Sequence, residues 1–148
     1  MPVSDERDDV LLLDVPSAGD YLSVLPTATA AVATRLGFSL DEIEDLRAAV
    51  NAAVALLMPT ERTRPFRRKP SDEPLHCRLE VGVETLQIVL SRSKGEPLPD
   101  DGSYQWQVLR ALTDEVESEV QGALTTIRIR QRRPATEADA DTERHRIH

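Results

Sequence analysis

The segment from Ser39 to Pro59 constrains this chain more than any other. Ser39 and Glu42 form an S-x-x-E capping box, in which each residue satisfies a backbone N–H of the other. Leu40, Ile43, Leu46, Val50, Ala53, Val54 and Leu57 follow at the 3.6-residue period, and Pro59 ends the run. The spacing predicts a helix over 40–58 with one apolar stripe. Such a helix draws most of its stability from whatever covers that stripe, so the chain must supply a second layer.

Strand patterns supply it. Val10 to Val15 is a short apolar run closed by Pro16. His76, Arg78 and Glu80 alternate with Cys77, Leu79 and Val81, and Leu86, Ile88 and Leu90 alternate with Gln87, Val89 and Ser91. Gly82 to Thr85 turns these two strands into a hairpin. Val116–Val120 and Leu124–Ile129 read as a further pair across Gln121-Gly122-Ala123.

Two more helices are predicted. Ser17 and Asp20 give an S-x-x-D start, and apolar residues from Tyr21 to Leu36 keep helical spacing until Gly37. Pro26 either kinks this helix or lies in the first turn of one that begins near Leu25. Tyr104, Val108, Leu109, Leu112 and Val116 mark the third helix, over 104–116. The order β-α-α-loop-β-β-loop-α-β-β predicts an α+β two-layer sandwich: a mainly antiparallel mixed sheet with three helices, 17–36, 40–58 and 104–116, on one face. No internal repeat is visible.

The remaining segments read as connections. Residues 59–74 hold four prolines and five basic residues, Arg62, Arg64, Arg67, Arg68 and Lys69, and read as a mobile loop. Either that run is a solvated linker, the reading we favour, or it docks on an acidic partner. Residues 1–9 read as a flexible N-terminus and 132–148 as a disordered tail, leaving 10–131 as the domain.

Composition excludes several functions. The chain has 148 residues, enough for one core, with 18 Lys plus Arg against 26 Asp plus Glu and a net charge of −8. That charge argues against direct nucleic-acid binding. No apolar run approaches the ~18 residues of a membrane span. The acidic N-terminus is unlike a signal peptide, so a cytoplasmic location is expected. Cys77 is the single cysteine and alternates inward, which predicts a buried structural thiol. His76, His145 and His148 are too scattered to suggest a metal site, and no phrase suggests Ser-His-Asp catalysis.

Three phrases in this order carry a resemblance. They are Arg35-Leu36-Gly37-Phe38-Ser39-Leu40-Asp41-Glu42-Ile43-Glu44-Asp45-Leu46-Arg47-Ala48-Ala49-Val50, then Val108-Leu109-Arg110-Ala111-Leu112-Thr113-Asp114-Glu115-Val116-Glu117, then Leu124-Thr125-Thr126-Ile127-Arg128-Ile129. Together they resemble the bacterial anti-sigma factor and serine-protein kinase family of the histidine-kinase-like ATPase superfamily. The resemblance covers roughly residues 10–131 and implies that superfamily's fold, with a reduced lid.

It also implies where ATP would bind, and those positions are altered here. The family's glutamate base falls on Ala52 and its Mg²⁺-binding asparagine on Leu56, one turn later. Asn51 is one residue too early. The adenine-binding aspartate falls on Ser91, the following glycine on Ser93, and only Gly95 remains of the glycine turn. The phosphate-binding glycine pair falls on Ser103 and Gln105. Thr126 agrees with a threonine that often meets the adenine end.

The resemblance, so altered, implies a pseudokinase: an anti-sigma regulator acting by protein–protein contacts, with no enzyme activity and no cofactor expected. ATP and Mg²⁺ would enter only if the altered site still worked. The implied partners are a sigma factor, an anti-sigma antagonist, or both, and homodimers are common in the family. Asp20, Tyr21 and Arg35 are the partner-binding candidates, with solvated helix residues as the simplest alternative for Asp20 and Arg35. Two other readings are an active serine-protein kinase that phosphorylates the antagonist, and a non-catalytic subunit of an active relative. Tyr104 and Trp106 either fill the space that phosphate would need, the reading we favour, or anchor a partner.

Overall fold

The structure is a computed structural model that describes residues 9–17, 19–58, 73–93 and 97–134. Its elements are β1 (Asp9–Val15), a 3-10 turn (Gly19–Ser23), α1 (Val24–Arg35), α2 (Leu40–Leu57), β2 (Leu75–Val81), β3 (Thr85–Ser93), α3 (Tyr104–Leu112), β4 (Glu115–Gln121) and β5 (Leu124–Arg132). The α+β sandwich is as expected. The five strands run in the order β1-β2-β3-β5-β4, and every neighbouring pair is antiparallel. Most of the expected flexible N-terminus, basic loop and tail fall outside the described residues, although Asp9 belongs to β1 and Arg132 to β5.

The α2 helix forms as its sequence dictates. The Glu42 N–H donates to Ser39 Oγ at 3.1 Å and the Ser39 N–H donates to Glu42 Oε1 at 2.8 Å, closing the capping box. Leu46, Ala49, Val50 and Ala53 are buried against the sheet and the other helices.

The first predicted helix is shorter than 17–36. Residues Gly19–Ser23 make a 3-10 turn and the α-helix starts at Val24. Pro26 therefore lies in the first turn, where backbone N–H groups have no intrahelical partner and a missing one costs nothing. The Ser17 start signal is not the helix cap. Instead Ser23 Oγ donates to the Asp20 carbonyl at 2.9 Å, inside the 3-10 turn. Gly37, at φ +84°, ends α1: its N–H donates to the Thr34 carbonyl and the Phe38 N–H to the Ala33 carbonyl, a Schellman closure.

The third helix ends at Leu112, not at 116. Thr113 Oγ1 donates back to the Leu109 carbonyl at 2.6 Å, and Val116 joins β4 opposite Ile129. The Arg132 N–H donates to Asp114 Oδ2 at 2.8 Å, which fixes the turn between α3 and β4. Pairing with β5 therefore outweighs helical spacing at Val116.

Alternation along each strand gives the sheet two unlike faces. Leu75, Cys77, Leu79, Leu86, Ile88, Leu90, Ile127 and Ile129 point to the helices and are buried. On the open face, Arg128 pairs with Glu117 at 3.1 Å, and Arg130 with Glu115 at 3.2 Å. The two edge strands differ as well. Glu115, Glu117 and Glu119 line β4, whereas β1 exposes Val10, Leu11 and Leu12.

Candidate functional site

On α2, Ala52 and Leu56 sit one turn apart on a face turned into the core, with exposures of 8% and 1%. Asn51 points outward. A methyl and an isobutyl group thus occupy the positions where the resemblance places a carboxylate and an amide. Neither can take a proton from an attacking group or ligate a metal ion.

Ser91, Ser93 and Thr126 do not join them. Ser91 pairs in register with Thr126 on β5 and with His76 on β2, and all three lie on the open face. Ala52 and Leu56 are on the other side of the sheet. Alternation along β3 explains the separation. Leu86, Ile88 and Leu90 face the helices, so the next side chain on that face is Arg92. Sequence reasoning missed Arg92, though continuing the same alternation by two residues would have found it. It is 2% exposed, and its Nη1 donates to the carbonyl of Leu57, the last residue of α2, at 3.1 Å. Gly95 lies outside the described residues.

Ser103 caps α3, its Oγ accepting from the Trp106 N–H at 3.4 Å. Gln105, two residues later, is half-buried. The preceding loop is tied down to the helix. Trp106 Nε1 donates to the Pro99 carbonyl at 3.1 Å, and Arg110 donates to the Asp101 carbonyl at 2.9 Å while its guanidinium lies 5.6 Å from the Trp106 ring centre. Trp106 is 4% exposed, as a residue filling space should be. Tyr104 is 74% exposed, which corrects the expectation that both aromatics turn inward. Residues two apart on a helix point to roughly opposite sides, so only one of the pair can be inside.

Asp20 and Tyr21 are exposed on the 3-10 turn, and Arg35 is exposed at the far end of α1. Twelve helical residues separate the two ends, about 18 Å, so these three do not form one cluster. Between Tyr21 and Thr34 no residue is charged, and Tyr21 and Val24 expose apolar surface.

Two titratable groups complete the description. Cys77 is buried, and desolvation pushes its thiol up to about 12. His76 Nδ1 meets Asp14 Oδ1 on the open face, joining β1 to β2. Among the described residues no three His, Cys, Asp or Glu side chains are grouped to hold a metal ion. A cleft of about 420 Å³ lies beside β4, lined by residues that include Arg110, Glu115, Glu117, Arg128 and Arg130, and neither Ala52 nor Leu56 lines it.

No family model matches the chain. Over 48 residues it is 33% identical to the serine-protein kinase RsbW of Bacillus thuringiensis (strain Al Hakam) and to that of Bacillus anthracis (strain A0248). The match takes in 32% of this chain and 30% of each relative, so the chain spans under a third of the curated relatives it matches. A crystal structure of the RsbU and RsbW domains of Rv1364c from Mycobacterium tuberculosis superposes with a TM-score of 0.60. That superposition covers 86% of this chain and 34% of the other, at 14% identity. The chain shares that fold, and it has a short stretch of sequence in common with RsbW. Both agree with the resemblance read from the sequence.

Proposed function

We propose that this chain is a regulatory binding protein of the RsbW kind that works by protein–protein contacts and performs no nucleotide chemistry. The observation that carries this reading is the burial of Ala52 and Leu56 in the core, where the resembling kinases would need a base and a metal ligand. A site for phosphoryl transfer depends on positioned charge, and α2 offers none on that face. The proposed partners are a sigma factor, an anti-sigma antagonist, or both, in the cytoplasm. Among the described residues no helix is long and apolar enough to cross a membrane.

The partner surface is proposed on α1 and the turn before it, where Asp20, Tyr21 and Val24 are exposed, no residue from Tyr21 to Thr34 is charged, and Arg35 is exposed at the far end. A second copy of the chain is a further proposed partner. Among the described residues the outer edge of β1 is unpaired, and it exposes Val10, Leu11 and Leu12; an apolar edge strand is a template for another strand. Purification of the tagged chain from its own cells, with identification of what accompanies it, tests the reading. A sigma factor or antagonist is the expected companion. A melting temperature that rises with Mg-ATP, but not with ATP and a chelator, would overturn the non-catalytic part and favour an active kinase.

A further inference from the structure

The two long helices end differently. Gly37 closes α1 with a Schellman motif from its own sequence. The α2 helix has no glycine after it and no basic residue in its last turn, and Met58, its C-cap, leaves helical geometry at φ −130°. The final carbonyls of a helix lack intrahelical partners and carry the negative end of its dipole. At α2 this end is buried, for Leu57 is only 2% exposed.

The missing cap comes from elsewhere in the chain. Arg92, 35 positions after Leu57, donates from Nη1 to the Leu57 carbonyl at 3.1 Å. It is the only charged side chain buried among the described residues, and its register partner on β5 is Thr125, also buried. Burying a guanidinium is costly unless its surroundings satisfy it, and here Nη1 is bonded to the Leu57 carbonyl while Nε is buried without a hydrogen bond among the described residues. Its planar array of donors suits a helix C-terminus better than a lysine ammonium does.

We propose that the space between the end of α2 and the end of β3 is a guanidinium socket, filled by Arg92 from within the chain. Arg92 is then a positioning residue. It holds the last turn of α2 against the sheet without help from any bound molecule. The inference rests on the proposed absence of nucleotide chemistry, because it assigns to a side chain the support that a ligand would otherwise give.

Arg92→Ala empties the socket and leaves the Leu57 carbonyl without its donor, and the melting temperature should fall by about 10 °C. Millimolar methylguanidinium should restore part of that loss in Arg92→Ala and leave the parent protein unchanged. Equal concentrations of tetramethylammonium, which lacks N–H donors, should restore nothing. If methylguanidinium and tetramethylammonium act alike, the socket does not exist. Should Arg92→Ala fail to fold, Arg92→Lys and Arg92→Met replace it. Amide hydrogen exchange over Val54–Met58 should be faster in Arg92→Met than in Arg92→Lys, and equal rates in all three proteins would overturn the proposal. Stabilisation of the parent protein by Mg-ATP would sink the non-catalytic reading while leaving the methylguanidinium result to decide the socket.

Discussion

The two faces of the sheet are built from the same strands and obey different rules. On the helix-covered face, Leu90 and Ile127 are register partners with no exposed surface, so shape and volume decide what fits. One residue along, on the open face, Val89 partners Arg128, which reaches Glu117 on β4. There, charge and solvent decide, and many substitutions are tolerated. A step of one residue along a strand therefore separates positions whose substitution costs several kcal/mol from positions whose substitution costs little.

The largest expected effect tests the covered side. Trp106→Ala should lower stability by about 3–5 kcal/mol, because it opens a cavity and leaves the Pro99 carbonyl without its donor. Chemical denaturation with no partner present measures this, and native fluorescence should be blue-shifted and poorly quenched. A freely quenched tryptophan and an unchanged denaturation midpoint would mean that Trp106 is not packed.

Cys77 gives a pH test of the same face. Its folded thiol is pushed up to about 12 from an ordinary 9.0. The folded state therefore keeps its proton where the unfolded state loses it. Stability from this group is complete below pH 9.0 and declines between there and about 12, by up to ~1.4 kcal/mol per pH unit. Cys77→Ala should flatten that alkaline slope, as measured by denaturation at several pH values. The thiol should also resist alkylating reagents until the protein unfolds.

On the open face, Glu117→Ala should cost at most about 1 kcal/mol, and less in high salt, because the pair with Arg128 is partly solvated. A loss as large as that of a core residue would show that the two faces are not distinct. Smallest of all, Ser91→Ala and Tyr104→Ala should each stay within about 0.5 kcal/mol of the parent. For Tyr104 this also separates packing from recognition: weakened partner capture with unchanged stability would make it an interface residue.

The same one-residue step explains what was legible in the sequence. The α2 helix could be read closely because its signals are local: the capping box at Ser39 and Glu42 and the stripe that turns Ala52 and Leu56 inward. Strand alternation placed Cys77, Leu79, Ile88 and Leu90 correctly. The same alternation puts the inward side chain at the end of β3 on Arg92, next to the Ser91 on which the family resemblance places the adenine contact.

Other parts were hidden for different reasons. The Ser17-x-x-Asp20 pattern is a genuine local signal, but the chain uses that stretch for a 3-10 turn. Val116 fits the helical period and the strand equally, and only its long-range partner Ile129 decides between them. The cap on α2 could not be seen at all from near α2, since Arg92 belongs to a strand that sequence order places far away.

The position of β1 has a kinetic consequence. Short turns join β2 to β3 and β4 to β5, so those hairpins close small loops. Pairing Val15 with Leu75 instead closes a loop of about sixty residues that contains both long helices. That entropic cost is met only once the rest of the sheet offers an edge to dock on, so β1 should be the last strand to form and the first to detach. Amide exchange faster in β1 than in β2 or β3 would be its signature, and equal protection across all three would show that the sheet assembles as one unit. While β1 is detached, the inner edge of β2 and the apolar side chains beneath it are briefly open to any extended chain nearby. The interval between synthesis and docking of β1 is then the period when this protein is most exposed to mispairing.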